Sequence, residues 1–230
     1  MGKDVIIALD FPTGKESLEF LDKFEEKLFV KVGMELFYSE GANIIKEIKK
    51  RGHKIFLDLK LHDIPNTVKK SMSILSELDI DMTNVHASGT KKMMKAALEG
   101  LGNKDIILIA VTQLTSTDQT TMENELLINE TMDKVVLKYG NSAKEVGLKG
   151  VVCSPIEVPI IHSIIGDEFL TITPGVRLQG DSMGDQKRVT TPKMAKELGS
   201  DYIVVGRSIT KADNPVMAYK KCVDEFIGEV

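Results

Sequence analysis

Cysteine is scarce in this sequence. Cys153 and Cys222 stand far apart, in no CxxC or Cys/His spacing, which excludes a disulfide framework and a zinc site and leaves two buried or neutral thiols. The four histidines, His53, His62, His86 and His162, form neither HxH nor HExxH and are expected to be structural, so no metal is expected. Basic charge is not in excess either. The net charge is −4 and the pI about 5.7, with lysines and arginines scattered among acids, which excludes nucleic acid and anionic membrane as partners and leaves a small soluble ligand. The start, "MGKDVIIALD", meets an aspartate before any long apolar run, so neither a signal peptide nor a membrane span is expected and the location is expected to be cytoplasmic. No GxGxxG follows the first apolar run, which argues against a dinucleotide fold.

What is present is repetition. Eight short β-branched runs recur, Val5–Leu9, Phe29–Val32, Ile55–Leu59, Met82–Val85, Ile106–Val111, Gly150–Cys153, Leu170–Thr173 and Tyr202–Val205. Segments such as "GKESLEFLDKFEEKL" and "SEGANIIKEIKKRG" between them carry apolar residues at three- and four-residue steps, as helices packed outside a sheet do. In "KKMMKAALEG" the adjacent methionines read as helix packing, and "DQTTMENE", Asp118–Glu125, as a solvated loop. Strand and helix in alternation imply a parallel sheet, and eight such units in 230 residues predict an α/β fold, one (β/α)8 TIM-barrel domain over residues 1–230. An open doubly wound sheet is the alternative.

Polar residues follow the apolar runs: Asp10 after "VIIAL", Lys31 within "FVKVG", Asp58 and Lys60 within "LDLK", Thr112 and Thr115 after "IILIAV". In a barrel the C-terminal strand ends converge on one mouth, so these residues become neighbours. Side chains alternate faces along a strand, so Asp58 and Lys60 point into the barrel while Leu57 and Leu59 face the helices. Two acids and two lysines meeting there form a desolvated network that is an expensive fastener and a plausible catalytic device. "VVGRSIT" combines a strand, Gly206, Arg207 and a helix start, a combination suited to phosphate. The long polar stretch "TPGVRLQGDSMGDQKRVT" beside it is expected to be a lid, with Arg177 and Gln186 touching the ligand. His86, closing the run "NVHASG", faces the same mouth.

In this order, and over essentially the whole chain, "FVKVGMELFY", "LDLKLHDIPNTV", "VTQLTS", "TPGVR" and "VVGRSIT" closely resemble the bacterial orotidine 5'-monophosphate decarboxylases. The Asp-x-Lys-x-x-Asp core is shared with magnesium-dependent barrels that act on sugar phosphates, but Lys31 stands where those enzymes have an acid. The resemblance implies decarboxylation of orotidine 5'-monophosphate to uridine 5'-monophosphate, the last step of de novo UMP synthesis, without a cofactor. It makes Lys60 the proton donor, sets Asp58 against the departing carboxylate, and has Lys31 hold the array and the ribose. Asp10 becomes a ribose ligand, Thr115 a neighbour of the pyrimidine, and Gln186, Gly206 and Arg207 phosphate contacts, with Arg177 on the lid. Asp63, Ile64 and Thr67 would enter the partner's active site in a homodimer. A length of 230 residues is expected to hold the monofunctional enzyme, without a fused phosphoribosyltransferase. A magnesium-dependent lyase and a catalytically silent phosphate-ligand sensor are the rival readings.

Overall fold

The computed structural model of the chain describes residues 3–180 and 190–228. Strands form where the apolar runs stand: β1 (Asp4–Ala8), β2 (Phe29–Gly33), β3 (Lys54–Leu61), β4 (Met82–His86), β5 (Ile107–Val111), β6 (Gly150–Val152), β7 (Leu170–Thr173) and β8 (Tyr202–Val205). They pair in parallel in chain order, and β8 returns to β1 with Asp4 through Ile7 opposite Tyr202 through Val205, closing the barrel. The fold is therefore the expected TIM barrel, and the open sheet is set aside.

The strands are covered on both faces, which is why they are written as continuous apolar runs. Period-two alternation sorts their side chains. On β1, Val5 and Ile7 join the shell between strands and helices, with Leu57 and Leu59 of β3, while Ile6 and Ala8 point inward. There they meet Phe29, Phe56, Met82, Ile109, Ile172, Tyr202 and Val204, a separate plug that fills the barrel. Two residues beyond Phe56 and Met82 on the same face come Asp58 and Asn84, so the polar mouth rests directly on this plug.

The covering helices carry their start signals in the sequence. Thr13, Thr131 and Thr191 cap helices by accepting from the backbone amides of Glu16, Lys134 and Met194. Pro65, Pro192 and Pro215 stand in the first turn of theirs, where a missing amide costs nothing. Met93 and Met94 are fully buried on the helix Thr90–Leu101, and both cysteines are buried, as expected.

Two segments differ from expectation. The amphipathic stretch 14–28 is helical only over Gly14–Leu21. Two tight turns, Lys23 N–H to Phe20 C=O and Phe24 N–H to Leu21 C=O, then fold Phe24 back to a 5.2 Å ring contact with Phe20, and the chain enters β2 with Leu28 already buried. "DQTTMENE" is not a solvated loop: Gln119–Asn124 is a short helix, capped by Asp118 accepting from the Thr121 amide at 2.8 Å and anchored by the buried Met122. A single buried methionine is too little periodicity to announce that helix. Among the described residues, no helix is long and apolar enough to cross a membrane.

Candidate active site

β2 and β3 lie side by side with Lys31 opposite Phe56 and Gly33 opposite Asp58, which delivers a lysine and an aspartate to the same rim. Lys31 Nζ stands 3.2 Å from Asp10 Oδ1 and 3.5 Å from Asp58 Oδ2, and Lys60 Nζ stands 2.7 Å from Asp58 Oδ1. The structure thus joins Asp10, Lys31, Asp58 and Lys60 into one chain of alternating charge across the ends of three strands. Asp58 is buried, 7% exposed, and forms its centre. Burial pushes its carboxyl up, but the charges of Lys31 and Lys60 and hydrogen bonds from Lys60 and Asn84 outweigh that and hold it below the usual carboxylate range.

The arrangement includes an irregularity that alternation does not forecast. β3 pairs Leu57 with Thr83 and then Leu61 with Val85, so four steps on β3 oppose two on β4. Asp58 and Lys60 both face the same cavity, as alternation predicts, but at the bulge Lys60 adopts φ +51°, a left-handed conformation costing a non-glycine residue about 1–3 kcal/mol. The Lys60 amide donates to Asn84 Oδ1 at 2.8 Å, and Asn84 Nδ2 donates to Asp58 Oδ1 at 2.7 Å. Asn84 was not singled out from the sequence; its one signal there is that it shares strand parity with His86.

Gly33 is a second residue without an obvious motif. A Cβ there would stand 3.2 Å from Lys31 Nζ and 3.8 Å from Asp10 Oδ1, so the bare backbone leaves the ammonium its place.

The array opens on a cavity of about 250 Å³ lined by Lys31, Asp58, Lys60, Thr115 and Gln113 over an apolar floor that includes Phe56 and Ile172. Thr115 lines this cavity at the barrel mouth. Thr112 is turned away, its hydroxyl donating to Val152 C=O at 2.9 Å. His86 lies beyond Lys60, its ring 5.6 Å from that of His62; burial first, then the charges of His62 and Lys60, push its pKa down and favour the neutral ring.

A second cavity, of about 490 Å³, adjoins the first through Lys31, Pro174 and Val204, and contains Asp10, Arg177, Gly206 and Arg207. The Ile209 and Thr210 amides donate to Gly206 C=O at 2.8 and 3.0 Å and so begin the one-turn helix that carries Arg207, which is exposed. A Cβ on Gly206 would lie 3.6 Å from Asp10 Oδ2, inside the space the cavity now leaves open. Arg177 is buried, its Nη1 donating to Val176 C=O at 3.0 Å, and the Arg177 amide donates to Thr190 C=O at 2.9 Å. Gln186 lies outside the described residues.

Asp63, Ile64 and Thr67 are not gathered into this site. They begin the helix Pro65–Leu75, all exposed, Ile64 at 67%, and the Asp63 carboxylate accepts from the Ile64 amide at 2.6 Å. Among the described residues, no group of three His, Cys, Asp or Glu side chains could hold a metal ion.

Comparison with known proteins fits this geometry. The family model described as Orotidine 5'-phosphate decarboxylase / HUMPS family matches residues 3–222. A curated orotidine 5'-phosphate decarboxylase of Bacillus cytotoxicus is 58% identical over 235 residues, 99% of each chain. The crystal structure of orotidine 5'-phosphate decarboxylase from Lactobacillus acidophilus superposes with a TM-score of 0.87 at 44% identity, covering 97% of this chain and 99% of that one. The crystal structure of orotidine 5'-phosphate decarboxylase from Pyrococcus horikoshii superposes with a TM-score of 0.79 at 25% identity, covering 98% of this chain and all of that one.

Proposed function

The chain belongs to the orotidine 5'-phosphate decarboxylase / HUMPS family and is a carboxy-lyase, and from that premise we propose that it converts orotidine 5'-monophosphate to uridine 5'-monophosphate and carbon dioxide with protein side chains alone. The observation that carries this reading is the alternating array Asp10–Lys31–Asp58–Lys60 at the barrel mouth. Lysine at position 31, where a magnesium-dependent relative would have an acid, supports the metal-free member of the family.

Breaking the bond between the pyrimidine ring and its carboxylate leaves an electron pair on a ring carbon with no adjacent carbonyl to accept it. Lys60 supplies the cation that stabilises that pair and the proton that ends on the carbon. Because the ammonium is already held by Asp58, little reorganisation accompanies charge development. Asp58 faces the substrate carboxylate, a repulsion that disappears when neutral carbon dioxide departs. Lys31 fixes the array and, with Asp10, meets the ribose. Thr115 borders the pyrimidine in the smaller cavity.

The 5'-phosphate belongs in the adjoining cavity, with Arg207, the Gly206 backbone, Arg177 and Gln186. Grip on this unreacting group contributes binding energy that is expressed at the reacting carbon. Asp63, Ile64 and Thr67, exposed at the head of their helix, complete the site of a second copy, so the working unit is a homodimer. We read residues 1–230 as one barrel domain that works in the cytoplasm, on a nucleotide and on neither nucleic acid nor membrane. Release of labelled carbon dioxide from carboxyl-labelled orotidine 5'-monophosphate tests the reading; label retained in the nucleotide with folded protein overturns it.

A further inference from the structure

Asn84 sits in the middle of β4, fully buried, between the two residues most directly concerned with the reaction. Its side chain can face them in only one sense. The Lys60 amide can only donate, so it requires the carboxamide oxygen, at 2.8 Å; the Asp58 carboxylate only accepts, so it requires the carboxamide nitrogen, at 2.7 Å. Both contacts cross the register shift between β3 and β4, where four residues oppose two and no regular ladder ties Lys60 down. Lys60 nevertheless holds φ +51°, which an L-residue keeps only when its surroundings determine it.

We propose that Asn84 is a positioning residue for the decarboxylation, holding the Lys60 main chain in its left-handed turn and the Asp58 carboxylate in line with both lysines through one carboxamide. The inference rests on the functional reading above. Its physical logic is that a general acid on a flexible four-carbon stem gains precision only if both its root and its counter-ion are fixed. Asp58 Oδ1 receives Lys60 Nζ and Asn84 Nδ2 together, while Oδ2 faces Lys31. Without Asn84 the carboxylate is free to rotate between its two lysines. Asp10 reaches it only through Lys31, and His86, whose burial favours the neutral ring, feels the charge of Asp58.

Two variants separate positioning from bulk stability. Asn84→Asp keeps the shape and the acceptor for the Lys60 amide but sets a second carboxylate against Asp58; Asn84→Ala removes both contacts. In each, kcat falls about ten- to a hundredfold, the loss of hydrogen bonds to a charged group, while KM for orotidine 5'-monophosphate stays within about threefold, because the phosphate cavity is untouched. Asp58 loses a donor that favours its ionised form, so the acid limb of kcat moves to higher pH in both variants. If Asn84→Ala does not fold, the isosteric Asn84→Asp decides. Variants that merely melt earlier, with wild-type kcat per folded site and an unmoved acid limb, overturn the assignment to Asn84. A wild-type enzyme that leaves orotidine 5'-monophosphate intact overturns the functional reading, and this inference with it.

Discussion

Lys60 Nζ lies 2.7 Å from Asp58 Oδ1 although the two residues are only one position removed from neighbours on the same strand. Side chains two apart on a regular strand point the same way with their bases about 7 Å apart, a gap the lysine stem spans, and here the pair also sits at the bulge with Lys60 in a left-handed turn. In the proposed reaction this holds the Lys60 ammonium against its counter-ion before substrate arrives, so removal of either partner should affect chemistry far more than capture of the nucleotide.

Lys60→Ala should lose about a hundred- to ten-thousandfold in kcat, the scale of a positioned general acid, and still bind uridine 5'-monophosphate. Turnover kinetics and titration calorimetry measure the two effects separately. Near-normal turnover would refute the proton-donor role.

Arg207→Ala should raise KM for orotidine 5'-monophosphate about ten- to a hundredfold through loss of a charge-assisted phosphate contact. The larger part of the effect should vanish when orotidine without its phosphate is the substrate. An unchanged KM would move the phosphate elsewhere.

Gly33→Ala should fold with wild-type stability, since Gly33 has an ordinary extended conformation of φ −86° and ψ −179°. Its added Cβ, 3.2 Å from Lys31 Nζ, should displace the ammonium and lower kcat about three- to tenfold. Equal kcat would show that the array tolerates this displacement.

Asp58 links the array to pH. Its folded pKa lies below its unfolded value, so its ionised form adds stability above about pH 4, and that contribution disappears as pH falls through the folded pKa. Urea unfolding of wild type and Asp58→Asn should therefore differ most near neutral pH and converge on acidification. A gap that widens toward acid would reverse the assigned sign.

The proposed homodimer can be tested by mixing. Lys60→Ala and Asp63→Ala homodimers should each be poorly active, whereas hybrids formed after subunit exchange carry one site with both residues intact, giving about a quarter of wild-type activity in an equal mixture. Absence of recovery in proven hybrids would place Asp63 outside the partner's site.

The barrel was legible because each strand is buried on two faces and therefore stands out as an apolar run, with β7 and β8 matching to the residue. Asp10, Lys31, Asp58 and Lys60 were legible because convergent strand ends make neighbours of residues far apart in sequence. Asn84 was not, since its role comes from a register shift between β3 and β4 that no local pattern encodes. Gly33 was hidden likewise, because what matters is the Cβ it lacks, and the end of the helix at Leu21 is set by ring packing of Phe20 and Phe24 that periodicity does not describe.

The most direct measurement follows the ultraviolet absorbance of orotidine 5'-monophosphate mixed with the purified enzyme in excess chelator, beside a Lys60→Ala control. Loss of the substrate band with the wild type alone is the predicted result, establishing metal-free decarboxylation that depends on Lys60. An unchanged band with folded, uridine 5'-monophosphate-binding protein, or activity that returns only with magnesium and a sugar phosphate, would contradict it.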